Sequence, residues 1–393
     1  MESPARSTAL LRDQNLLILF SVTLVAVGNV SSVSPAFPEM MTTFSVGETE
    51  IGWIVTAYSL PGALSAPFIG VLADRFGRRR VLALSLTGFS LAGAACMTAT
   101  SFPMLLGFRL VQGTCAGPLV ALSVTLIGDR YDGGTRATAI GYNATVLNIG
   151  TTAYPVVGGL LAGIAWYWPF ALPLLALPVA LAVWMRLDTP TPDAPQTLRA
   201  YLRDAWTGLQ DPAIVALLLA NTGVFILLFG VLLTYVPVLV DNRFAAVPFV
   251  VGGILAGASA ASGLTASQTG RLTQVFSART IILGSFGLYA AACIGIALAP
   301  NVWTLIAATV VFGTAQGLNR PAIQTRLVNL APAATRSVTL SLNATALRVG
   351  QALGPLVMGG LLLLGGLSLV FWGGALLAVA MGLALRPFVG SPT

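Results

Sequence analysis

Histidine and lysine are absent from this chain of 393 residues, and acidic and basic residues together make up 8% of it. The missing histidine removes the commonest metal ligand and the one side chain that titrates near neutrality without help. The scarcity of charge excludes an ordinary soluble domain, where about a quarter of residues are charged. Cysteine is nearly missing too. Cys96, Cys115 and Cys293 are odd in number, sit in apolar runs and have no metal-ligand spacing, so they read as small core residues and not as a disulfide framework or zinc site. No nucleophile–base pair or phosphate-binding loop is present, which argues against an enzyme and against a need for any cofactor.

What is there in excess is apolar sequence: 56% of residues are hydrophobic and the mean hydropathy is +0.86. A bilayer is crossed by about 20 apolar residues as helix, and backbone groups in lipid must be satisfied within the segment. The runs lack the alternation of a barrel strand. The expected fold class is therefore an all-α integral membrane protein. Twelve spans are read at 15–38, 50–72, 80–100, 103–127, 136–164, 166–186, 212–240, 248–270, 280–299, 302–327, 335–364 and 367–386.

The net charge of +7 is carried by arginine alone and, in this setting, reports topology and not nucleic-acid binding. With the first residue inside, sixteen arginines fall on the side of the even-numbered loops and one, Arg243, on the other. The positive-inside rule then predicts both termini in the cytoplasm, in a bacterial-type inner membrane. Met1 to Gln14 is polar and no cleavage site follows, so the first span is expected to be retained.

Charge is densest in Gly70-Val71-Leu72-Ala73-Asp74-Arg75-Phe76-Gly77-Arg78-Arg79-Arg80, between the second and third spans. The stretch returns 200 residues on, with Gly270, Leu272, Phe276 and Arg279 in place of Gly70, Leu72, Phe76 and Arg79. The same offset relates Asn143-Ala144-Thr145 to Asn343-Ala344-Thr345, Gly150 to Gly350, Pro155 to Pro355 and Gly159 to Gly359. Two six-span bundles are expected, 1–186 and 212–393, around a central cavity. The connection 187–211 begins Pro-rich and then places Leu198, Leu202, Ala205 and Leu209 on one helical face. It reads as a surface helix, with a solvated linker as the alternative.

These residues resemble the major facilitator superfamily over the whole chain. Gly70 to Arg80 is similar to its Gly-x-Leu-Ala-Asp-Arg-x-Gly-Arg-Arg loop, and Arg109-Leu110-Val111-Gln112-Gly113 to the Arg-x-x-Gln-Gly element of proton-coupled members. Gly150-x-x-x-Tyr154-Pro155-x-x-Gly158-Gly159 resembles the Gly-x-x-x-Gly-Pro-x-x-Gly-Gly element of the drug and proton antiporter branch, with Tyr154 where a glycine is usual; Gly354-Pro355 keeps that pair in the second half. The resemblance implies a monomeric secondary transporter among membrane lipids, exporting amphipathic small molecules by alternating access with the proton gradient as energy source. It also implies a cytoplasmic gate at Gly70, Asp74, Arg75, Gly77 and Arg78, with Asp74 facing the start of the eleventh span and Arg78 reaching Asp129. In the second half Gln274 stands in for Asp74.

Arg109 and Arg348 lie well inside spans, where a guanidinium costs several kcal/mol, by order of magnitude, unless it faces protein or water. Arg109 has Gln112 one turn away on the same face. In the resembling fold the first, fourth, seventh and tenth spans line the cavity. They contribute Asn29, Ser31 and Ser34; Arg109 and Gln112; Asn221, Phe225, Phe229 and Tyr235; Gln316, Asn319 and Arg320. Pro155 and Pro355 with their glycines are expected to bend the fifth and eleventh spans. None of the thirteen acids lies in the middle of a span; Glu39, just past Pro38 at the outer end of the first span, and Asp241, ending the seventh, are the nearest, and Glu39 is taken as the candidate proton carrier. Three readings stay open: a proton-driven exporter of amphipathic compounds, a carrier of a polar metabolite such as a sugar or organic acid, and a lipid-translocating or sensing protein on the same scaffold.

Overall fold

The apolar runs form helices throughout. The structure, a computed structural model, describes residues 10, 12–189, 203, 209–331 and 336–389, leaving aside the side chains of 66–71, 74 and 337. The order is α1 (Gln14–Val27 and Asn29–Phe44, two arms bent by 45°), α2 (Trp53–Phe76), α3 (Arg78–Cys96), α4 (Phe102–Arg130), α5 (Gly133–Ala162) and α6 (Trp168–Arg186). After the connection come α7 (Pro212–Phe244), α8 (Pro248–Val275), α9 (Ala278–Leu298), α10 (Val302–Leu330), α11 (336–364) and α12 (367–385), the last two parted by non-helical Gly365 and Gly366. The fold is twelve transmembrane helices in two six-helix repeats. The amphipathic face expected at 198–209 lies outside the described residues except for Leu209.

Helix ends follow local chemistry. Asp13 and Asp211 cap α1 and α7 by accepting from the backbone N–H of Asn15 and Ala213, and Asn301 caps α10 through Thr304. Gly77, between α2 and α3, adopts φ +89°, which a side chain would disfavour. Gly366 (φ +71°) turns the chain between α11 and α12.

The duplication seen in the sequence is also a duplication of contacts. A Cβ on Gly113 of α4 would meet the Tyr58 carbonyl oxygen of α2 at 1.9 Å, and one on Gly313 of α10 would meet the Ala258 carbonyl oxygen of α8 at 1.9 Å. Both residue pairs are related by the offset of 200, so each half crosses its second and fourth helices at the same backbone contact. The repeated asparagines act alike: Asn143 Oδ1 accepts from Thr23 Oγ1 of α1 at 2.8 Å, and Asn343 Oδ1 accepts from Asn221 Nδ2 of α7 at 2.5 Å. Each ties the fifth helix of its half to the first.

Between the halves, α5 packs on α8 and α11 on α2. Gly252 of α8 abuts the Pro155 carbonyl, and Gly52 abuts Pro355. Both prolines lie inside helices that run unbroken, so they shape these seams and do not interrupt α5 or α11. A break comes in α1 at Gly28. The first helix also runs past Pro38 to Phe44, which places Glu39 within it and not beyond its end.

Candidate functional site

The break in α1 has a local cause. Gly150, Tyr154 and Gly158 recur every fourth residue and share one face of α5. That face presses on α1: a Cβ on Gly150 would stand 2.8 Å from Val27 Cγ1, and one on Gly158 2.0 Å from the Ser32 carbonyl oxygen. Between them the Tyr154 ring fills the notch left by Gly28, where a Cβ would lie 2.0 Å from Tyr154 Cγ. The glycine missing from α5 is thus supplied by α1.

The residue after the break, Asn29, is buried and accepts from Arg109 Nη1 through Oδ1. Arg109 is 0% exposed. Its Nη1 also donates to Gln112 Oε1 at 2.8 Å and its Nε to the Ile54 carbonyl of α2 at 3.4 Å. Its guanidinium lies 4.5 Å from the Tyr58 ring centroid and 5.6 Å from that of Phe170. Among the described residues no carboxylate pairs with it. Arg109 Nη2, Asn29 Nδ2 and Gln112 Nε2 are buried without an acceptor. Gln112, one turn away on the same face, therefore serves Arg109 as an acceptor.

A second arginine comes from the other half. Arg348 Nη2 of α11 donates to the Gly117 carbonyl oxygen of α4 at 2.6 Å, and its Nη1 fills the space beside Gly62 of α2. Two more hydrogen bonds cross between the halves: Thr56 Oγ1 to the Ala352 carbonyl at 3.0 Å, and Asn242 Nδ2 to Glu48 Oε1 at 2.6 Å.

The remaining candidates are dispersed. Phe225 and Phe229 stack with centroids 6.0 Å apart and planes 16° from parallel. Asn221 is held by Asn343 and Tyr235 donates to the Pro355 carbonyl oxygen at 3.4 Å, both inside the second half. Asn319 donates to Ser285 of α9 at 2.7 Å, so it belongs to the α9–α10 seam and does not join Arg109. Gln316 and Glu39 are half-buried. From Leu227 to Tyr235, α7 is wound as a π-helix, with Thr234 Oγ1 donating to the Phe229 carbonyl five residues back at 2.6 Å.

At the even-loop end, Arg78 pairs with Asp129, Arg79 donates to the Trp184 carbonyl, and Arg75 lies 5.7 Å from the Phe76 ring centroid. Gly70 lies within α2, while the Asp74 side chain falls outside what is described, as does Thr335 just before α11. Asp13 Oδ2 accepts from Tyr131 at 2.5 Å and lies 3.6 Å from Arg130 Nε, while Asn15 Oδ1 accepts from the Asp188 N–H at 2.9 Å. Burial alone would raise the Asp13 carboxyl; the hydrogen bonds from Tyr131 and the Asn15 N–H, with Arg130 nearby, outweigh it and hold the group below its usual value.

Sequence reading missed Tyr58, Phe170, Gly28 and the Gly117 carbonyl. The aromatics look like any packing residue, a backbone acceptor has no signature, and Gly28 is one glycine among 42.

Twelve helices in two related bundles, with buried polar groups in the first and an arginine bridging to it from the second, define a membrane carrier and not an enzyme. The chain belongs to the Major Facilitator Superfamily, whose model matches residues 19–245 and 242–392. It is similar to the probable multidrug resistance protein EmrY of Escherichia coli (strain K12), 32% identical over 149 residues, 38% of this chain and 28% of that one. The chain spans about a third or less of the length of the first curated relatives it matches. The quinolone resistance protein NorA of Staphylococcus aureus (strain MRSA252) is 24% identical over 358 residues, 89% of this chain and 90% of its own. Among solved structures, the nucleoside transporter NupG superposes with a TM-score of 0.78 at 14% identity, covering 96% of this chain and 99% of that one.

Proposed function

We propose that this carrier exports amphipathic small molecules by alternating access, from a bacterial inner membrane with both termini cytoplasmic. The bundles 1–186 and 212–393 rock about the seams α5–α8 and α2–α11, and 187–211 tethers them. The observation that carries the reading is the Arg109 group: directional polar contacts beside two aromatic rings, the composition of a site for a molecule with one polar end. Similarity to NorA over most of both chains supports export. The protein acts as a monomer, needs no bound cofactor and draws on the proton gradient, with Glu39 as the proton carrier.

The test is uptake by proteoliposomes of the purified protein under an imposed pH gradient. Gradient-dependent uphill movement of an amphiphile, lost in Glu39→Gln, supports the reading. Downhill equilibration of D-xylose or uridine with no effect of the gradient supports instead a carrier of polar metabolites, a reading favoured by the fold shared with NupG.

A further inference from the structure

We propose that Arg109, with Asn29, is the seat for the anionic head of the transported molecule, so that the substrates are amphiphiles bearing a carboxylate or sulfonate. This rests on the carrier reading above and gives it a substrate class.

The case begins with charge. A guanidinium stays protonated at any physiological pH. At Arg109 it meets three dipolar acceptors, the Asn29 and Gln112 side-chain oxygens and the Ile54 carbonyl, and no carboxylate among the described residues. The faces of Tyr58 and Phe170 soften a positive charge without neutralising it. The elements packed on the group bring no countercharge among the described residues. From α1 comes Asn29, from α2 Tyr58, from α3 Cys96, from α4 Gln112 and from α6 Phe170. Tyr58 and Cys96 are the titratable ones, and both are neutral at neutral pH. Arg348 of α11, bonded to the Gly117 carbonyl of α4, adds a second cation in the neighbourhood. The local field is positive and lacks a fixed partner.

Geometry gives the same direction. Buried donors without acceptors are rare and point to a missing partner. Gln112 Nε2, likewise without an acceptor, lies beside Gly93, where a Cβ would stand 2.7 Å from it. Arg109 Nη2 and Asn29 Nδ2 are two further N–H groups with no acceptor on a net cation. Two donors on a positive charge suit an oxyanion, whose two oxygens each accept. An ammonium ligand would bring a like charge and no acceptor. In the described conformer the seat is covered, Arg109 being 0% exposed.

The test uses purified full-length protein in detergent, without any gradient, so that it reads head-group preference independently of transport direction. Binding of naphthalene-2-carboxylate, naphthalene-2-sulfonate and methyl naphthalene-2-carboxylate is measured by calorimetry. The two anions should bind roughly tenfold or more tighter than the ester, the scale of a charge-assisted hydrogen bond. Carboxylate affinity should fall as pH drops through the ligand's own pKa, about 4 as for other carboxylic acids, while sulfonate affinity stays flat. Arg109→Gln should abolish the anion preference, so that acid and ester bind alike; Arg109→Lys should keep part of it. Should Arg109→Gln not be recovered folded, Asn29→Ala decides, with a loss of several-fold confined to the anions. Equal binding of ester and acid, as an ordered water on the free donors would give, overturns the proposal. An anion preference that survives Arg109→Gln also overturns it, as does a sulfonate profile that titrates like the carboxylate. Export itself is read separately, by gradient-driven transport in proteoliposomes.

Discussion

Gly28 and Tyr154 make a pair that neither residue announces alone. The resemblance led one to expect glycine at 154, and the tyrosine looked like a departure. In the structure its ring occupies the space of the side chain that Gly28 lacks, and the joint of α1 sits there. Overpacking a tight contact of this kind costs about 1–3 kcal/mol or more. Gly28→Ala should therefore lower thermal stability and transport, and adding Tyr154→Gly should restore both. A Gly28→Ala protein as stable as wild type would show that the ring is not seated there. At the even-loop end, the depressed Asp13 carboxyl makes a linkage prediction. Its contribution is fully present above the unfolded pKa of about 4 and is lost as pH falls through the lower folded value. Asp13→Asn should thus melt below wild type above about pH 5, and the gap should close under more acid conditions; a gap independent of pH would contradict this.

At the scale of elements, the offset of 200 residues could be read without a structure, because it rested on several matches at one shift. What those matches do could not. Asn143 and Asn343 were landmarks in a repeat; the structure shows each bonding the fifth helix of its half to the first, through Thr23 and Asn221. Asn343→Ala would leave Asn221 buried without its acceptor, at a cost of about 1–3 kcal/mol, readable as a lower midpoint in thermal unfolding. Pro155 and Pro355 sit inside unbroken helices, with Gly252 and Gly52 packed against them in the interhelical seams. The break of α1 and the π-wound stretch of α7 carry no proline of their own at the break or within the stretch, so no residue flagged them. Span number and order were legible, since a bilayer imposes length and hydropathy on every crossing. The partners of Arg109 were legible only along its own helix, at Gln112; those from α1, α2 and α6 depend on packing across chain separations that periodicity does not reach.

For the whole molecule, the two halves are joined by named bonds at Glu48–Asn242, Thr56–Ala352 and Gly117–Arg348. The last brings a cation of the second half against the first about 12 Å along α4 from Arg109, taking about 1.5 Å of rise per residue. Removing it should loosen the described conformer. With spin labels at Ser101 and Asn301 in a cysteine-free background, Arg348→Gln should shift the interhalf distance distribution to longer values; an unchanged distribution would show that Arg348 is not part of the seal. The central claim is that this carrier moves an anionic amphiphile through the Arg109 seat. Naphthalene-2-sulfonate, permanently charged and retained by lipid, measures it directly. Proteoliposomes holding wild-type protein should accumulate it uphill when a pH gradient is imposed, and those holding Arg109→Gln should match protein-free vesicles. Wild-type uptake no greater than that of protein-free vesicles, or equal uptake by the variant, would contradict the account.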